Sequence, residues 1–441
     1  MPYFLRMQLT VYIPRLTPRV AYAFSLLFER VVQLPYRLTD QQEGAQLAYS
    51  PTRQTGISFW LPASGLLSAS NIRPQPIEQF EHDGLPAFFG CPDAEEALLP
   101  FDLPALAFYL ASRYEEYLPA EKDAHGRFPA KASLAYRSGF LHQPLVNQWG
   151  IKLAQQLQAL WPGLNVVYPG YQFRPSYDID LAWAYQERPL WLQGAGAARD
   201  ALRGEWARLR QRWQVARGRA PDPFDTFAYL DEWHQRLHLD PLYFFLLGDY
   251  KTYDKNIDPR RTTFQERLRG LARKYDTGLH PSYASNGRAE QLAKECSRYQ
   301  SITGQPPKRS RQHYLKLELP ATYRALLQHG IRADYSMGFA DEVGFRAGMA
   351  RPFPWYDLER EQTTPLILYP FALMDGSLRH YLQLPPEQAT AIIRQLVDEV
   401  RSVGGLFIPL WHNSSFSAAH GWAGWQAVFE RMLAYASTDY S

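Results

Sequence analysis

The chain has 441 residues, with 47 Lys and Arg against 44 Asp and Glu, which gives a net charge of +3. This length predicts two or three domains with a sizeable buried core. A hydrophobic fraction of 46% and a charged fraction of 21% exclude a disordered or fibrous protein. The near balance of charges gives no support for nucleic-acid binding.

The sequence carries no signal for membrane insertion or export. No apolar run approaches the ~20 residues that a membrane-spanning helix needs. The N-terminus lacks a long apolar stretch followed by a small-residue cleavage site, so we expect no signal peptide and a cytoplasmic location. Cys91 and Cys296 lie far apart and form no metal-binding or disulfide pattern, in agreement with a reducing compartment.

Residues 1–160 are expected to form a smaller α/β domain. Apolar residues recur at helical spacing in some segments, and others have β-like composition. The predicted helices are 20–32, 103–117 and 146–161, and the predicted strands are 47–49 and 57–61. His125 lies in the loop sequence His-Gly-Arg-Phe, where a structural role is favoured over a ligand role.

Residues 165–441 alternate strand-like and helix-like segments, which predicts an α/β domain with a mainly parallel sheet. The predicted strands are 172–179, 242–247, 277–280, 312–315, 333–335, 366–369 and 406–410. About residues 186–225, between the first two strands, form a basic insertion with Ala, Leu and Trp at helical spacing. We expect an amphipathic helix there, either solvated on the outside of the domain or in contact with a membrane surface or an anionic glycan.

Two carboxylates, Asp178 and Asp180, stand at the end of the first of these strands, in the sequence Ser-Tyr-Asp-Ile-Asp. Residues two apart on a strand point to the same side. Two neighbouring carboxylates repel each other unless a cation lies between them, and a divalent metal is such a cation. The alternative is a pair that caps the following helix.

Three further strand ends carry imidazole or guanidinium groups. His280 closes the strand 277–280, Arg311 and His313 lie at the edge of 312–315, and His412 follows 406–410. Functional groups of α/β folds collect at the carboxyl ends of the strands. Together with the two carboxylates, these residues suit a metal-assisted hydrolase that needs ligands, a base for water and an acid for the leaving group.

The order of these motifs resembles the polysaccharide deacetylase superfamily, the NodB-homology enzymes, over about residues 172–415. The strand-end Asp pair resembles the first motif, Gly278–His280 the second, Arg311 the third and Leu-Trp-His at 410–412 the last. The N-terminal part resembles a less understood domain that precedes the catalytic domain in some bacterial members. The resemblance implies a deformed (β/α) barrel and metal-dependent, hydrolytic N-deacetylation.

The resemblance also implies a role for each motif residue. Asp178 would be the general base and Arg311 would orient it, while His412 would be the acid near the leaving amine. Asp180 and His280 would bind a divalent metal, usually zinc in this family. The family has a second histidine about four residues after the first, but position 284 is Ala, so we expect His313 to supply the third ligand.

Other polar residues near strand ends are candidates for contact with a carbohydrate or glycan-precursor substrate. These are Tyr283, Asp254, Arg346 and Trp411. Asp375 is expected to bond His412, which would hold the imidazole in one tautomer and raise its pKa. Two alternatives stay open: a metal-free glycan-binding or scaffold protein with a degenerate site, and a hydrolase of another carbon–nitrogen bond.

Overall fold

The structure is a computed structural model that describes residues 8–438. The first seven residues, which form part of the segment used for the signal-peptide prediction, lie outside the described residues. Among the helices of residues 8–438, none combines the length and the apolar character required to cross a membrane.

The N-terminal part is built around a parallel sheet of four short strands. Its order is β2-β1-β3-β4, and a separate antiparallel hairpin, β5–β6, follows. The strands are β1 Leu9–Tyr12, β2 Tyr36–Thr39, β3 Leu47–Ser50, β4 Phe59–Pro62, β5 Phe80–His82 and β6 Leu85–Ala87. The two strands predicted in this part are confirmed as β3 and β4, with small shifts in their bounds.

Helices cover this sheet, and their starts follow ordinary capping chemistry. The hydroxyl of Thr17 accepts a hydrogen bond from Val20 N, and the Asp102 carboxylate accepts one from Ala105 N. The helices are α1 Pro18–Ser25, α2 Leu103–Ala111, α3 Leu134–Arg137 and α4 Leu145–Leu160. The predicted helix 103–117 is interrupted because Arg113 adopts a φ of +56°, and a 3₁₀ turn follows at Tyr114–Tyr117.

The C-terminal part contains a nine-stranded sheet of order β13-β14-β12-β11-β10-β9-β8-β17-β15. All neighbours are parallel except β13 and β14. The strands of this part are β7 Gln172–Phe173, β8 Ser176–Ile179, β9 Leu242–Leu246, β10 Asp276–His280, β11 Arg309–Ser310, β12 Ala333–Asp334, β13 Phe353–Asp357, β14 Gln362–Leu368, β15 Leu373–Met374, β16 Leu406–Phe407 and β17 Pro409–His412. β7 pairs with β16 in a separate two-stranded ladder.

The central strands are buried along their length, as expected for parallel strands with both faces covered. Every residue of β9, with the sequence Leu-Tyr-Phe-Phe-Leu, is buried. The helices of this part are α5 Leu190–Leu202, α6 Trp206–Ala216, α7 Phe227–Arg236, α8 Thr262–Lys274, α9 Ala289–Thr303, α10 Ala321–Gln328, α11 Pro386–Ser402 and α12 Trp425–Ala436. The prediction of a mixed α/β architecture with a mainly parallel sheet is confirmed. Within the ladders of residues 8–438, the edge strands β13 and β15 do not pair with each other, so a closed barrel is not shown.

Two strand or helix predictions are corrected, and one strand was missed. The segment 312–315 is not a strand, because Tyr314 and Leu315 have positive φ values of +60° and +51°, which end the extended conformation in a tight turn at His313–Leu315. The ladder residues are instead Arg309–Ser310, just before it. The insertion forms two helices, α5 and α6, which are separated at Gly204. The antiparallel strand β13 was not predicted.

The two parts of the chain share one continuous hydrophobic core, which contains buried residues from α1, α2 and α4 and from the nine-stranded sheet. A buried ion pair crosses between the parts, with Arg346 Nη2 2.6 Å from Glu116 Oε2. Arg113 Nε donates to Glu116 Oε1 at 2.6 Å. The N-terminal part therefore packs directly against the sheet that carries the predicted site residues.

Candidate metal centre and active site

The predicted motif residues meet at one edge of the nine-stranded sheet because adjacent strands run parallel and end together. β8 lies between β9 and β17, and His412 on β17 is in register with Asp178 on β8. β10 ends at His280, and the turn after β11 carries His313. The structure thus brings together residues that are more than 230 positions apart in sequence.

Asp180, His280 and His313 form a group whose ligand atoms all lie within 4.8 Å of one another. Asp180 Oδ1 is 3.1 Å from His280 Nε2, and Asp180 Oδ2 is 3.5 Å from His313 Nε2. One carboxylate with two imidazoles is a ligand set that zinc and other divalent transition metals accept, with room left for water or substrate.

The outer hydrogen bonds of both imidazoles determine which nitrogen faces Asp180. His280 Nδ1 lies 2.5 Å from the carbonyl oxygen of Arg311, and His313 Nδ1 lies 2.9 Å from Asp254 Oδ1. A carbonyl or a carboxylate oxygen can only accept, so each Nδ1 donates its proton outward. In the neutral tautomers both Nε2 atoms then present lone pairs towards Asp180. Three electron-pair donors that face one another are the arrangement a cation fills.

A buried oxygen of Asp180 without a hydrogen-bond partner among residues 8–438 also suits a bound cation. Asp180 Oδ1 is buried and accepts no hydrogen bond from the residues that the structure describes. Enclosure by the protein would raise the pKa of Asp180, but the neighbouring imidazoles, with His313 the strongest, hold it well below its ordinary value. Burial would lower the pKa of His313, yet Asp180 and Asp254 raise it to about 9. In the absence of a metal, a proton on His313 therefore supplies the positive charge that this carboxylate attracts.

Asp178 lies beside this group and is held by an arginine. Its Oδ1 accepts a hydrogen bond from Arg311 Nη1 at 2.9 Å, and its Oδ2 lies 3.7 Å from His280 Nε2. Arg311 is fully buried, and its other nitrogens donate to Ser176 Oγ and to the carbonyl of Tyr335. Arg311 therefore fixes the Asp178 carboxylate with one oxygen directed towards the metal ligands.

His412 also lies beside Asp180, with its Nε2 3.7 Å from Asp180 Oδ2. Its Nδ1 donates to Asp375 Oδ1 at 2.8 Å, and its backbone N–H donates to Asp375 Oδ2 at 2.8 Å. Burial would lower the pKa of His412, but Asp375 and then Asp180 raise it to about 10. The expected contact between Asp375 and His412 is thus present, and the imidazole is kept in its proton-donating form at neutral pH.

A cavity of about 550 Å³ is lined by five of these residues, Asp178, Asp180, His280, His313 and His412. Arg311 is fully buried and does not line it. Three tyrosines form part of the wall, namely Tyr253, Tyr314 and Tyr381. Arg127, from the N-terminal part, also lines the cavity and donates to the Tyr314 carbonyl at 2.8 Å and to the Tyr381 hydroxyl at 3.0 Å. A pocket of this size with aromatic walls and a few convergent polar groups is typical of small-ligand sites.

Two of the four residues expected to contact substrate adjoin this cavity without facing it directly. The carboxylate of Asp254 is buried and accepts hydrogen bonds from His313 Nδ1 and from the backbone N–H groups of Tyr283 and Ala284. It therefore orients a candidate ligand instead of binding a sugar. The Tyr283 ring packs against Tyr253, with centroids 4.4 Å apart, and so supports the rim.

The other two expectations are corrected. Trp411 is fully buried and its Nε1 contacts Met432 Sδ at 3.3 Å. Successive strand residues point to opposite faces, so a strand that turns His412 towards the cavity turns Trp411 into the core. Arg346 is also buried. Its guanidinium donates hydrogen bonds to Glu116 and to the Gly338 carbonyl, so it is not free to bind a substrate.

Arg127 and Tyr381 were not predicted as site residues. Arg127 lies in the same His-Gly-Arg-Phe loop as His125, for which the sequence favoured a structural role. His125 packs among tyrosine rings, with its ring centroid 4.9 Å from that of Tyr314. Nothing in the local pattern around residue 127 indicates a contact with residues 314 and 381, which only the tertiary structure brings near.

Comparisons with known proteins give one family match, in the N-terminal part. Residues 9–162 match a family of unknown function, DUF7033. No curated protein matches the chain. The matched region ends before β7 and contains the loop that carries Arg127.

Several solved structures are similar in shape at low sequence identity. A Mycobacterium smegmatis protein classed as a polysaccharide deacetylase is 13% identical over 62% of this chain and 86% of that chain, with a TM-score of 0.40. An allantoinase is 12% identical over 62% of this chain and 85% of that chain, with a TM-score of 0.35. A polysaccharide deacetylase from Bacillus cereus is 11% identical over 60% of this chain and 86% of that chain, with a TM-score of 0.29.

Proposed function

We propose that this protein is a metal-dependent hydrolase that removes an N-acetyl or similar acyl group from a sugar or glycan precursor. One observation carries the proposal. Two imidazoles direct their lone pairs towards one carboxylate, that of Asp180. Beside this group lie the carboxylate of Asp178, which is bonded to an arginine, and the imidazole of His412, which is bonded to an aspartate. This is the set of ligands, base and acid that hydrolysis of an amide requires.

Asp180, His280 and His313 would hold the metal, and nitrogen and carboxylate ligands favour zinc. A bound divalent ion would polarise the acyl carbonyl and make a water molecule easier to deprotonate. Arg311 and Asp254 would act through their neighbours, since the Arg311 carbonyl orients His280 and the Asp254 carboxylate orients His313.

Asp178 would act as the general base. Arg311 occupies one oxygen of its carboxylate, which leaves the second oxygen on the side of the metal ligands to take a proton from the attacking water. A buried carboxylate in a fixed orientation keeps its lone pair in the geometry that proton transfer needs.

His412 would act as the general acid. Its Nδ1 proton is bonded to Asp375, so its Nε2 proton is the one available to the departing amine. Asp178 takes one proton from water and His412 gives one to nitrogen, so the enzyme neither gains nor loses a proton overall. The products are a carboxylic acid and an amine, and transfer of the acid proton to the amine then gives a carboxylate and an ammonium ion.

We also propose that the substrate is a carbohydrate and that the fold is the deformed (β/α) barrel of deacetylases, preceded by an accessory domain at 1–160 and with the catalytic domain at 165–441. The tyrosines that line the cavity support a sugar substrate, because aromatic faces pack well against the C–H faces of pyranose rings. We propose a cytoplasmic location for the protein and a glycan precursor as its substrate.

The test combines metal analysis with an assay for released acetate on N-acetylated oligosaccharides. We expect about one divalent ion per chain, loss of turnover with retained metal in Asp178→Asn, and reduced metal content in His280→Ala and His313→Ala. His329→Ala is the matched control, because His329 begins the turn after α10, outside the site. Full metal content in His313→Ala would overturn its role as a ligand.

The same purified protein separates the alternatives. Hydrolysis of cyclic amides without release of acetate from acetylated sugars would assign the site to another carbon–nitrogen bond. Glycan binding with no stoichiometric metal, and with stability unchanged by a chelator, would indicate a binding protein instead of an enzyme.

A further inference from the structure

The helices α5 and α6 form a hairpin on the outside of the molecule that contributes little to its core. Asp200 and Val215 are its buried residues. The two helices are joined by an ion pair in which Arg212 Nη2 lies 2.7 Å from Asp200 Oδ2. A Cβ added at Gly196 would lie 2.8 Å from the same nitrogen, so the helices approach closely there. The hairpin is therefore well formed, while most of its surface remains free.

One face of α6 alternates tryptophan and arginine. Trp206, Arg210, Trp213 and Arg217 follow one another at spacings of four, three and four residues, which places them on one stripe of the helix. All four are exposed, with Trp206 at 70% and Trp213 at 46%. The Arg217 guanidinium lies 4.1 Å from the centroid of the Trp213 ring. This stripe presents apolar rings and positive charges together.

The end of α5 and the turn that leads into α6 add further exposed residues. Leu202 is 89% exposed and Arg203, the next residue, is also exposed. We call the set Leu202, Arg203, Trp206, Arg210, Trp213 and Arg217 the hairpin surface. An exposed leucine and two exposed tryptophans so close together are unusual on a surface that faces only water.

The charge of the hairpin is strongly positive and largely unpaired. Residues 190–219 contain seven arginines against two acidic residues, a net charge of +5. Over residues 8–438, no carboxylate lies within 4.0 Å of the guanidinium of Arg203, Arg210 or Arg217. These cations are available for an external anionic partner.

We propose that the hairpin surface binds the face of a membrane that contains anionic lipids. Tryptophan, leucine and arginine on one face of a helix are the composition of helices that lie in the interfacial layer, with apolar groups below the headgroups and cations beside the phosphates. A soluble polyanion would pair with the arginines but would leave Leu202 and Trp206 in water. The proposal does not depend on the enzymatic activity of the cavity.

The test is sedimentation of the full-length protein with vesicles of phosphatidylcholine alone or with about a third phosphatidylglycerol. We expect binding to the anionic vesicles, which weakens in 0.5 M salt because the charges are screened. The double variant Arg210→Gln/Arg217→Gln should bind about 25-fold more weakly, since each arginine near an anionic surface contributes about fivefold. Leu202→Ser should weaken binding about tenfold.

Matched controls are available on the N-terminal part. Arg15→Gln/Arg37→Gln removes two exposed arginines, and Leu160→Ser removes a leucine that is 54% exposed, all outside the hairpin. Both should bind like the unmodified protein, and circular dichroism should show that every variant is folded. The proposal would be overturned if the protein bound neutral vesicles as strongly as anionic ones, or if the control variants lost as much binding as the hairpin variants. Retention of the protein by dextran sulfate but not by anionic vesicles would also overturn it.

Discussion

The Oδ1 atom of Asp254 accepts a hydrogen bond from His313 Nδ1 at 2.9 Å, and this bond turns the other nitrogen of the ring towards Asp180. The loop 249–256 therefore sets the orientation of a residue that is about 60 positions away in sequence. Carboxylates that orient a ligating histidine stabilise metal binding although they do not touch the metal.

Replacement of Asp254 should accordingly weaken metal binding. In Asp254→Asn the amide accepts a weaker hydrogen bond than a carboxylate, so we expect a loss of metal affinity of about 10- to 100-fold. Competition with a fluorescent chelator measures it. Asp249→Asn is the control, since this carboxylate in the same loop pairs with Lys294 and Arg298. Equal affinities in the two variants would contradict the role of Asp254.

Metal binding should also stabilise the fold. A ligand that binds only the native state at 100 times its Kd raises the free energy of unfolding by about 2.7 kcal/mol. We expect this gain when zinc is added to metal-free protein, measured by urea denaturation, and its loss in Asp180→Asn. A gain of the same size in Asp180→Asn would place the stabilising metal elsewhere.

Asp375 should control the pH dependence of turnover. Asp375→Asn removes the carboxylate that contributes most to the raised pKa of His412, so the imidazole should lose its proton at lower pH. Because the proposed acid must be protonated, the basic limb of the profile of kcat/KM against pH should move to lower pH, and kcat at pH 8 should fall about 100-fold or more. Asp258→Asn is the control and should keep the original profile, because this carboxylate pairs with Arg260 and does not line the cavity.

The buried ion pair between the two parts of the chain should make a pH-dependent contribution to stability. Burial would raise the pKa of Glu116, but Arg346 and Arg113 lower it to about 2. A carboxylate whose pKa is lower in the folded chain than in the unfolded chain stabilises the fold at pH values above its unfolded-state pKa. This stabilisation is lost as the pH falls through the pKa of the folded state. The shift from 4.5 to about 2 corresponds to about 3 kcal/mol.

Glu116→Gln should therefore lower the free energy of unfolding most at pH 6 and progressively less towards pH 2, where about half of the folded unmodified molecules carry a protonated Glu116. Denaturation at several pH values measures the difference between the two proteins. A difference that is constant from pH 2 to pH 6 would contradict the ion-pair explanation.

Gly278 should tolerate no side chain. A Cβ at this position would lie 2.7 Å from the Phe244 ring and 2.9 Å from the carbonyl oxygen of Arg309. Moving that backbone oxygen would cost free energy, because it belongs to the sheet. We expect Gly278→Ala to lower the free energy of unfolding by about 1–3 kcal/mol. Gly270→Ala, where nothing lies within 4 Å of the new Cβ, should leave stability unchanged or raise it by up to about 1 kcal/mol in helix α8.

The residues predicted from sequence to meet at the site are those that follow buried strands. An apolar run such as β9 marks a central strand, and a polar residue at the end of a neighbouring parallel strand must lie at the same edge. This rule brings Asp178, His280 and His412 together. It carries no information about Arg127, which reaches the cavity from another part of the chain.

The sequence-based predictions are wrong where the local sequence pattern does not determine the tertiary packing. Trp411 is adjacent to His412, but the alternation of a strand sends it into the core. The segment with His313 has the composition of a strand, yet the positive φ of Tyr314 makes it a turn. The antiparallel strand β13 is covered on both faces, so its sequence lacks the polar alternation that identifies an edge strand.

The contacts of Arg127 have a practical consequence for fragments of this protein. A C-terminal piece that begins near residue 165 would retain every candidate metal ligand. It would lose Arg127 from the lining of the cavity, together with the helices that cover part of its core. Such a piece should aggregate or bind substrates indiscriminately. Lack of activity in such a piece would therefore report the loss of Arg127 and of the packed helices, because every candidate metal ligand is still present.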